Sequence, residues 1–496
     1  MKTFINLLIC YFLLNVSGCS DFLQEDLQGT FSSSTFYKTQ DDALLALTGI
    51  YNQILFSSPT NAIWVFGDVA SDDAIKGGSP GDIIAITSID NFTYGRNNVI
   101  LENMWKHYYE GISRANYVLY YVPNITMDET TKNRILSEAK FLRAYFYFNL
   151  VNIYGEIPLK VLPPLTLAEI NIPKSPVTAI YDQIKKDLTE ATVSLPGTYT
   201  GKDLGRATKG AAWGLLAKVN IYNEKWAEAL TAITALENAA PYSLSVLFTN
   251  NFSDSLKNNS ESIFEIQHRT GLDPSVGSLL NQYFSPATLT ITGYFFNVPM
   301  QNFVNEFETT PGGIVDPRLD YTVGRNGQKW VNGENFAPLW SPTGFLNKKH
   351  IQPLRQLPII GDGNLNYVYL RYADILLMKA EALNELNQTG AAMVPLNLVR
   401  KRARESYLLD KKLPGFGVIP ANLLPDVIDA GQTANRTAIR HERRVELGFE
   451  FHRYFDLMRY GQQAAETALS SAGFNYSKRY FLIPQSELDT NPKITQ

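Results

Sequence analysis

Residues 134–154 read Arg134-Ile135-Leu136-Ser137-Glu138-Ala139-Lys140-Phe141-Leu142-Arg143-Ala144-Tyr145-Phe146-Tyr147-Phe148-Asn149-Leu150-Val151-Asn152-Ile153-Tyr154. Ile135, Ala139, Leu142, Phe146, Leu150 and Ile153 recur here at steps of three and four, the spacing of one face of an α-helix. Gly155 and Pro158 then stop the pattern. The same period returns at 41–54, 99–121, 177–194, 207–236, 372–387, 395–404 and 437–460, so the chain is expected to be mainly α.

Several of these stretches come as pairs. Leu215, Leu216, Ala217, Tyr222, Trp226 and Ala229 resemble a tetratricopeptide hairpin, with small residues letting helices approach and Trp226 opening the second helix. Residues 372–404 read as another pair, with Pro395 placed in the first turn of its helix, where a missing N–H costs nothing. Spacing between pairs is irregular, so no regular repeat array is expected. From Tyr242 to Asn366 the helical period fades and Gly, Pro, Asn and aromatics become frequent, which predicts loops with a few short strands. A second loop-like insert runs from Ser57 to Asn98, most turn-prone at Lys76-Gly77-Gly78-Ser79-Pro80-Gly81. Loops this long in a compact protein usually carry function.

The amino end reads as an export leader. A single Lys2 precedes an apolar run from Phe4 to Val16, shorter than the ~20 residues that span a bilayer, and Ser17-Gly18-Cys19 follows. Residues 1–18 are expected to be removed and Cys19 to be lipidated, leaving the body attached to a membrane through its lipid anchor only. Cys10 leaves with the leader, so neither a disulfide nor thiol chemistry is available to the body. Cleavage moves the net charge from −4 to −5, too acidic and evenly mixed for a nucleic-acid partner.

No catalytic signature stands out. No two of His107, His268, His350, His441 and His452 have the i, i+4 spacing of a helical zinc site, and in His441-Glu442-Arg443-Arg444-Val445 a valine stands where the second ligand would be. There is no phosphate-cradling glycine loop. Asp72 and Asp73 form an acidic pair suited to a turn or helix cap, or to holding a cation or sugar hydroxyls. The charged run from Arg436 to Arg459 reads as a half-buried helix with pairs one turn apart, such as Glu450 with Arg453 and Asp456 with Arg459.

Several motifs, in order along nearly the whole chain, resemble the SusD/RagB family, the lipid-anchored nutrient-binding proteins of Bacteroidetes outer membranes. They are the Cys19-Ser20-Asp21-Phe22-Leu23 start; Trp105 with Tyr109, Ile112, Ala115 and Asn116; Glu138 to Ala144; and Tyr154-Gly155-Glu156-Ile157-Pro158-Leu159. Arg206 to Ala211 follows, then Leu370 to Leu377 with Ala380-Glu381-Ala382, Glu442 to Leu447, Arg453 to Leu457 with Arg459, and Ile483-Pro484 with Glu487 and Asn491-Pro492. The resemblance implies a SusD-like fold in one domain over 19–496. A platform of tetratricopeptide-like pairs would lie mainly at 36–56, 99–240 and 367–460, and a loop-rich ligand region mainly at 57–98 and 242–366. It further implies capture of an oligosaccharide at the cell surface and delivery to a SusC-like TonB-dependent transporter in the outer membrane, with no reaction catalysed and no cofactor. A structural cation such as calcium stays open.

Starch-binding members carry aromatics after the early acidic pair, whereas Asp72-Asp73-Ala74-Ile75-Lys76-Gly77-Gly78-Ser79 has none, which argues against starch. The mid-chain element is retained as Gly293-Tyr294, so Tyr294 leads the ligand candidates, followed by Tyr283, Trp330, Trp340 and Trp64, with Asp73 and Lys76 as polar candidates. Aromatic faces stack on the apolar face of a pyranose while polar side chains bond its hydroxyls. A peptide-binding importer component, as in RagAB-like complexes, is the alternative, and a surface glycosidase a third reading.

Overall fold

The computed structural model describes residues 36–495 apart from 165, 288–291 and 353–360; the leader and Cys19 lie outside the described residues. The chain is mainly helical. The platform consists of α1 (Gln40–Tyr51), α2 (Val99–Tyr121), α3 (Glu129–Tyr154), α4 (Val177–Ser194), α5 (Lys209–Tyr222), α6 (Trp226–Ala239), α7 (Tyr372–Glu385), α8 (Thr389–Arg404) and α9 (Gln432–Leu447). Successive helices pack against one another in a chain: α2 on α3, α3 on α4, α4 on α5, α5 on α6, α6 on α7, and α7 on α8 and α9. This is the paired arrangement that the periodicity predicts, and Trp226 does open α6.

The opening stretch forms most of α3, whose surroundings explain its motif. Its apolar face is covered on both sides, with Leu142, Phe146 and Leu150 fully buried. Gly111 of α2 lets the Phe146 ring approach, since a Cβ there would stand 2.4 Å from it. Arg143 reaches across to α4 and α2, donating from Nη2 to Asp187 Oδ1 (2.7 Å) and from Nη1 to Asn116 Oδ1 (2.8 Å). Glu138, also buried, accepts from Tyr51 Oη (2.7 Å) and from Arg134 Nη1 (2.7 Å). These side chains satisfy one another where burial would otherwise cost several kcal/mol.

Among the described residues the loop-rich remainder carries three two-stranded antiparallel ladders. β1 (Ala74–Gly77) pairs with β3 (Phe296–Pro299), β2 (Ser262–Ile266) with β6 (Tyr367–Arg371), and β4 (Val323–Gly324) with β5 (Leu346–Asn347). The first ladder joins the two loop regions that the sequence marks out. One buried apolar cluster continues from the platform, through Phe146 and Leu215, into the loops at Phe296 and Trp330.

Three local expectations are corrected. Pro395 sits inside α8 rather than in a first turn, because the helix begins at Thr389. The stretch 437–460 is two helices, α9 and α10 (Arg453–Arg459), separated by a corner at Gly448–His452 in which Phe449 (φ 64°) and Phe451 (φ 67°) are left-handed. Such conformations cost about 1–3 kcal/mol each and persist only under tight surrounding contacts; here Gly448 lies against the Phe303 ring, and Phe451 stacks on Tyr367 at 4.8 Å.

The charged run also differs from the local pairing expected of it. Of the two opposite-charge pairs named, the Asp456–Arg459 contact forms (2.8 Å), while Glu450 turns away from Arg453 to accept from Lys349 Nζ (2.7 Å) and Arg371 Nε (2.8 Å). Arg371 uses all its donors: Nη1 bonds Glu261 (2.8 Å) and Glu446 Oε1 (2.6 Å), and Nη2 bonds Glu446 O (2.8 Å) and Glu450 Oε1 (2.8 Å). Burial opposes ionisation of Glu450, but Arg371 and Lys349 outweigh it and hold its carboxyl down at about 2.

That depressed value contributes stability above the unfolded value of ~4.3, which is lost as the pH falls through about 2. In urea titrations the wild type is expected to lose stability between pH 4.5 and 2. Glu450→Gln should be less stable at pH 7 by ~3–5 kcal/mol, the cost of stranding a buried partner, and lose less over the acid range.

Candidate functional site

Where β1 meets β3, the register Ala74 to Pro299, Ile75 to Val298 and Gly77 to Phe296 brings the early insert against the mid-chain loop. Gly77 (φ 70°) is required here, because a Cβ would lie 2.1 Å from Phe295 O. Gly293 likewise allows its loop to close on the end of the short helix Leu280–Phe284, a Cβ standing 2.0 Å from Ser285 O. Tyr294 N then donates to Gln282 O (3.0 Å) and Phe295 N to Ser285 O (2.9 Å), fixing Tyr294 at the rim.

Three rings stack in sequence from the core outward. Trp64 lies on Phe296 at 5.9 Å and 19°, and Phe296 on Tyr294 at 5.5 Å and 9°. Tyr283 meets the stack edge-on, 6.0 Å from both Tyr294 and Phe296. Trp64 is 2% exposed and Tyr294 42%, so the outermost ring alone of the three presents itself to solvent. A neighbouring cluster of Trp330, Phe336 and Trp340 is tied to the end of β3 by Thr343 Oγ1, which donates to Pro299 O (2.8 Å). Trp340 is half-exposed in it, Trp330 buried, and the adjacent Leu339 fully exposed.

The structure therefore separates the sequence candidates. Tyr294, Tyr283 and Trp340 have accessible surface, whereas Trp64 and Trp330 are buried and act as supports. Lys76 is also buried, with Nζ donating to Ser79 O (3.3 Å), which removes it from direct contact. Asp73 is withdrawn for a different reason. Neither it nor Asp72 caps a helix, and both are buried: Asp72 accepts two bonds from Arg453 (2.7 and 2.9 Å), and Asp73 accepts from Arg444 Nε (2.7 Å). Burial works against both charges; the two arginines bring Asp72 below its ordinary value, while Asp73 stays above.

These pairs fasten the base of β1 to α9 and α10. Sequence reasoning missed this fastening, for which the only signal is the density of arginines in the run from 436 to 459. It also missed Asp68. That carboxylate accepts from Phe451 N at the corner (3.1 Å) and from Asn297 Nδ2 of β3 (2.9 Å), linking the mid-chain loop to the platform. Its burial raises its pKa to about 8. Among the described residues no group of three His, Cys, Asp or Glu side chains is placed to hold a metal ion, and no helix is long and apolar enough to cross a membrane.

Comparison with known proteins agrees with this architecture. The model of the SusD family matches residues 260–496, and a second model, described as starch-binding associating with outer membrane, matches 65–221. The SusD-like protein P25 of Formosa agariphila is 27% identical, with 99% of this chain and 98% of that protein covered. A solved laminarin-binding SusD-like protein is 28% identical and superposes with a TM-score of 0.75 over 93% of this chain and 99% of its own. A SusD-like carbohydrate-binding protein from Bacteroides fragilis shares the fold, with a TM-score of 0.78 at 24% identity over 93% and 100% of the two chains. Its sequence and fold are those of a SusD-like protein, and the similar solved structures include glycan-binding ones.

A raised acid pKa stabilises the fold below the unfolded value of ~3.9, and that contribution is lost as the pH rises through about 8. Asp68→Asn, which stays neutral, should therefore gain in melting temperature relative to wild type between pH 5 and pH 9, a difference that thermal scans at the two values measure.

Proposed function

We propose that this protein is a non-catalytic, lipid-anchored surface protein that captures an oligosaccharide and passes it to a SusC-like TonB-dependent transporter in the outer membrane. The observation that carries the reading is the Trp64–Phe296–Tyr294 stack, which holds an exposed ring at the rim on a buried base. A flat ring fixed in this way loses little conformational freedom on binding and offers its face to the apolar side of a sugar. Tyr283 and the half-exposed Trp340 extend the aromatic surface beside it. Support for the ligand class comes from the 28% identical relative named for laminarin binding, so a β-glucan leads the panel. Attachment through Cys19 after removal of 1–18, with 19–496 acting as one unit, belongs to the same proposal, in keeping with the outer-membrane association that the second family model describes.

Calorimetry of the purified protein with laminarihexaose, other plant, host and microbial oligosaccharides, and peptide pools tests this. One glycan class is expected to bind, unshortened afterwards, with Tyr294→Ala weakening it about tenfold or more, or ~1.4 kcal/mol. Trp330→Phe should leave the affinity within about twofold. Binding of peptides alone would replace this reading with the peptide-import one.

A further inference from the structure

The arginines between 436 and 459 divide into two kinds. Arg436, Arg443, Arg444, Arg453 and Arg459 are each ion-paired with at least one carboxylate. Arg440 has no carboxylate partner among the described residues, and its Nε is buried without a hydrogen bond. Its guanidinium lies over the Tyr460 ring, 3.9 Å from the ring centre. A cation–π contact of this kind orients the group without neutralising its charge.

Arg440 lines a groove of about 500 Å³ between α9 and α11 (Gln462–Ala468), within the ~300–1,000 Å³ span of small-ligand sites. Leu457, Ala464 and Ala468 give it an apolar floor, while Thr437, Gln463 and Thr467 offer hydroxyl and amide groups. Arg444, Arg453, His441 and Glu306 add charged or polar edges, but Arg444 is already engaged by Asp72, Asp73 and the Glu306 carboxylate (2.6 Å), Arg453 by Asp72, and His441 Nε2 contacts Glu306 O (2.8 Å). The unspent charge in the groove is that of Arg440.

We propose that this groove is a second binding site, separate from the Tyr294 stack, which takes a sugar unit bearing a carboxylate or sulfate group, with Arg440 bonding its anionic oxygens. The guanidinium fork matches two oxygens of either anion. The neighbouring hydroxyls and amide suit ring hydroxyls, and the apolar floor suits the ring's CH face. An acidic peptide fits less well, because helices bond their own backbone and leave no free edge along which an extended chain could pair.

The test is calorimetry on the full chain in detergent with four probes: a galacturonate oligosaccharide, a sulfated disaccharide, laminarihexaose and hexaglutamate. The galacturonate or the sulfated probe is expected to bind, more weakly as salt rises, and to lose at least tenfold in affinity in Arg440→Gln. Ala464→Glu, which removes no side chain from the fold and places a carboxylate on the groove floor, should do the same. Tyr294→Ala should leave this binding within about twofold, separating it from the neutral-glycan site. The proposal is overturned if neither acidic sugar binds, if both groove variants bind as the wild type does, if Tyr294→Ala alone abolishes binding, or if hexaglutamate is the only probe captured.

Discussion

The guanidinium of Arg371 is the tie that the arrangement of this molecule depends on. It ends β6, is 1% exposed, and donates to Glu261 just before β2, to Glu446 on α9 and to Glu450 at the corner after it. A loop ladder, a platform helix and the left-handed corner thus converge on one side chain. Lys349 joins the same centre, bonding Glu450 while its ammonium lies 4.9 Å from the Phe248 ring centre. Charges withdrawn from water in this way favour one arrangement because any misplacement strands a carboxylate. The corner with Phe449 and Phe451 holds its strained backbone inside that frame, and Asp68 extends it to the mid-chain loop.

The helical platform was legible because its residues obey a local rule. The spacing in α3 gives the helix, Gly155 ends it, and Trp226 marks the next hairpin's turn. The SusD-like resemblance was equally legible, and several of its motifs turn out to be the polar partners of the core: Glu138, Arg143, Arg371, Glu446 and Asp456. What the sequence hid is pairing at long range. Asp73 and Arg444 are 371 positions apart and Asp72 and Arg453 381, and no local pattern links them, so an acidic pair read as a turn is in fact a fastening. The corner at Gly448 had a visible signal in the glycine itself, overridden by the surrounding helical period.

The candidate site shows a parallel division. Residue type identified the aromatics, but type does not say which ring of a stack is outermost; that order comes from the pairing of β1 with β3 across more than two hundred residues. Trp64 looks on paper as good a platform as Tyr294, and it is the base on which Phe296 and Tyr294 rest. Exposure of a single ring, backed by two others, makes a stiffer contact surface than a lone tyrosine on a loop, since each ring limits the rotamers of the next.

The last stretch of chain returns to the first helices. Phe481 N donates to Ile153 O (2.7 Å), Gln485 N to Arg96 O (3.0 Å), Trp105 Nε1 to Glu487 (3.2 Å) and Asn491 Nδ2 to Ile172 O (3.0 Å). A polypeptide grows from its amino end, so helices made early lack these partners until residues 481–491 have been made. Closing loops of this span is slow, because the entropy is lost before the contacts repay it. The order of manufacture therefore keeps the early half incomplete until residues 481–491 arrive to seal it.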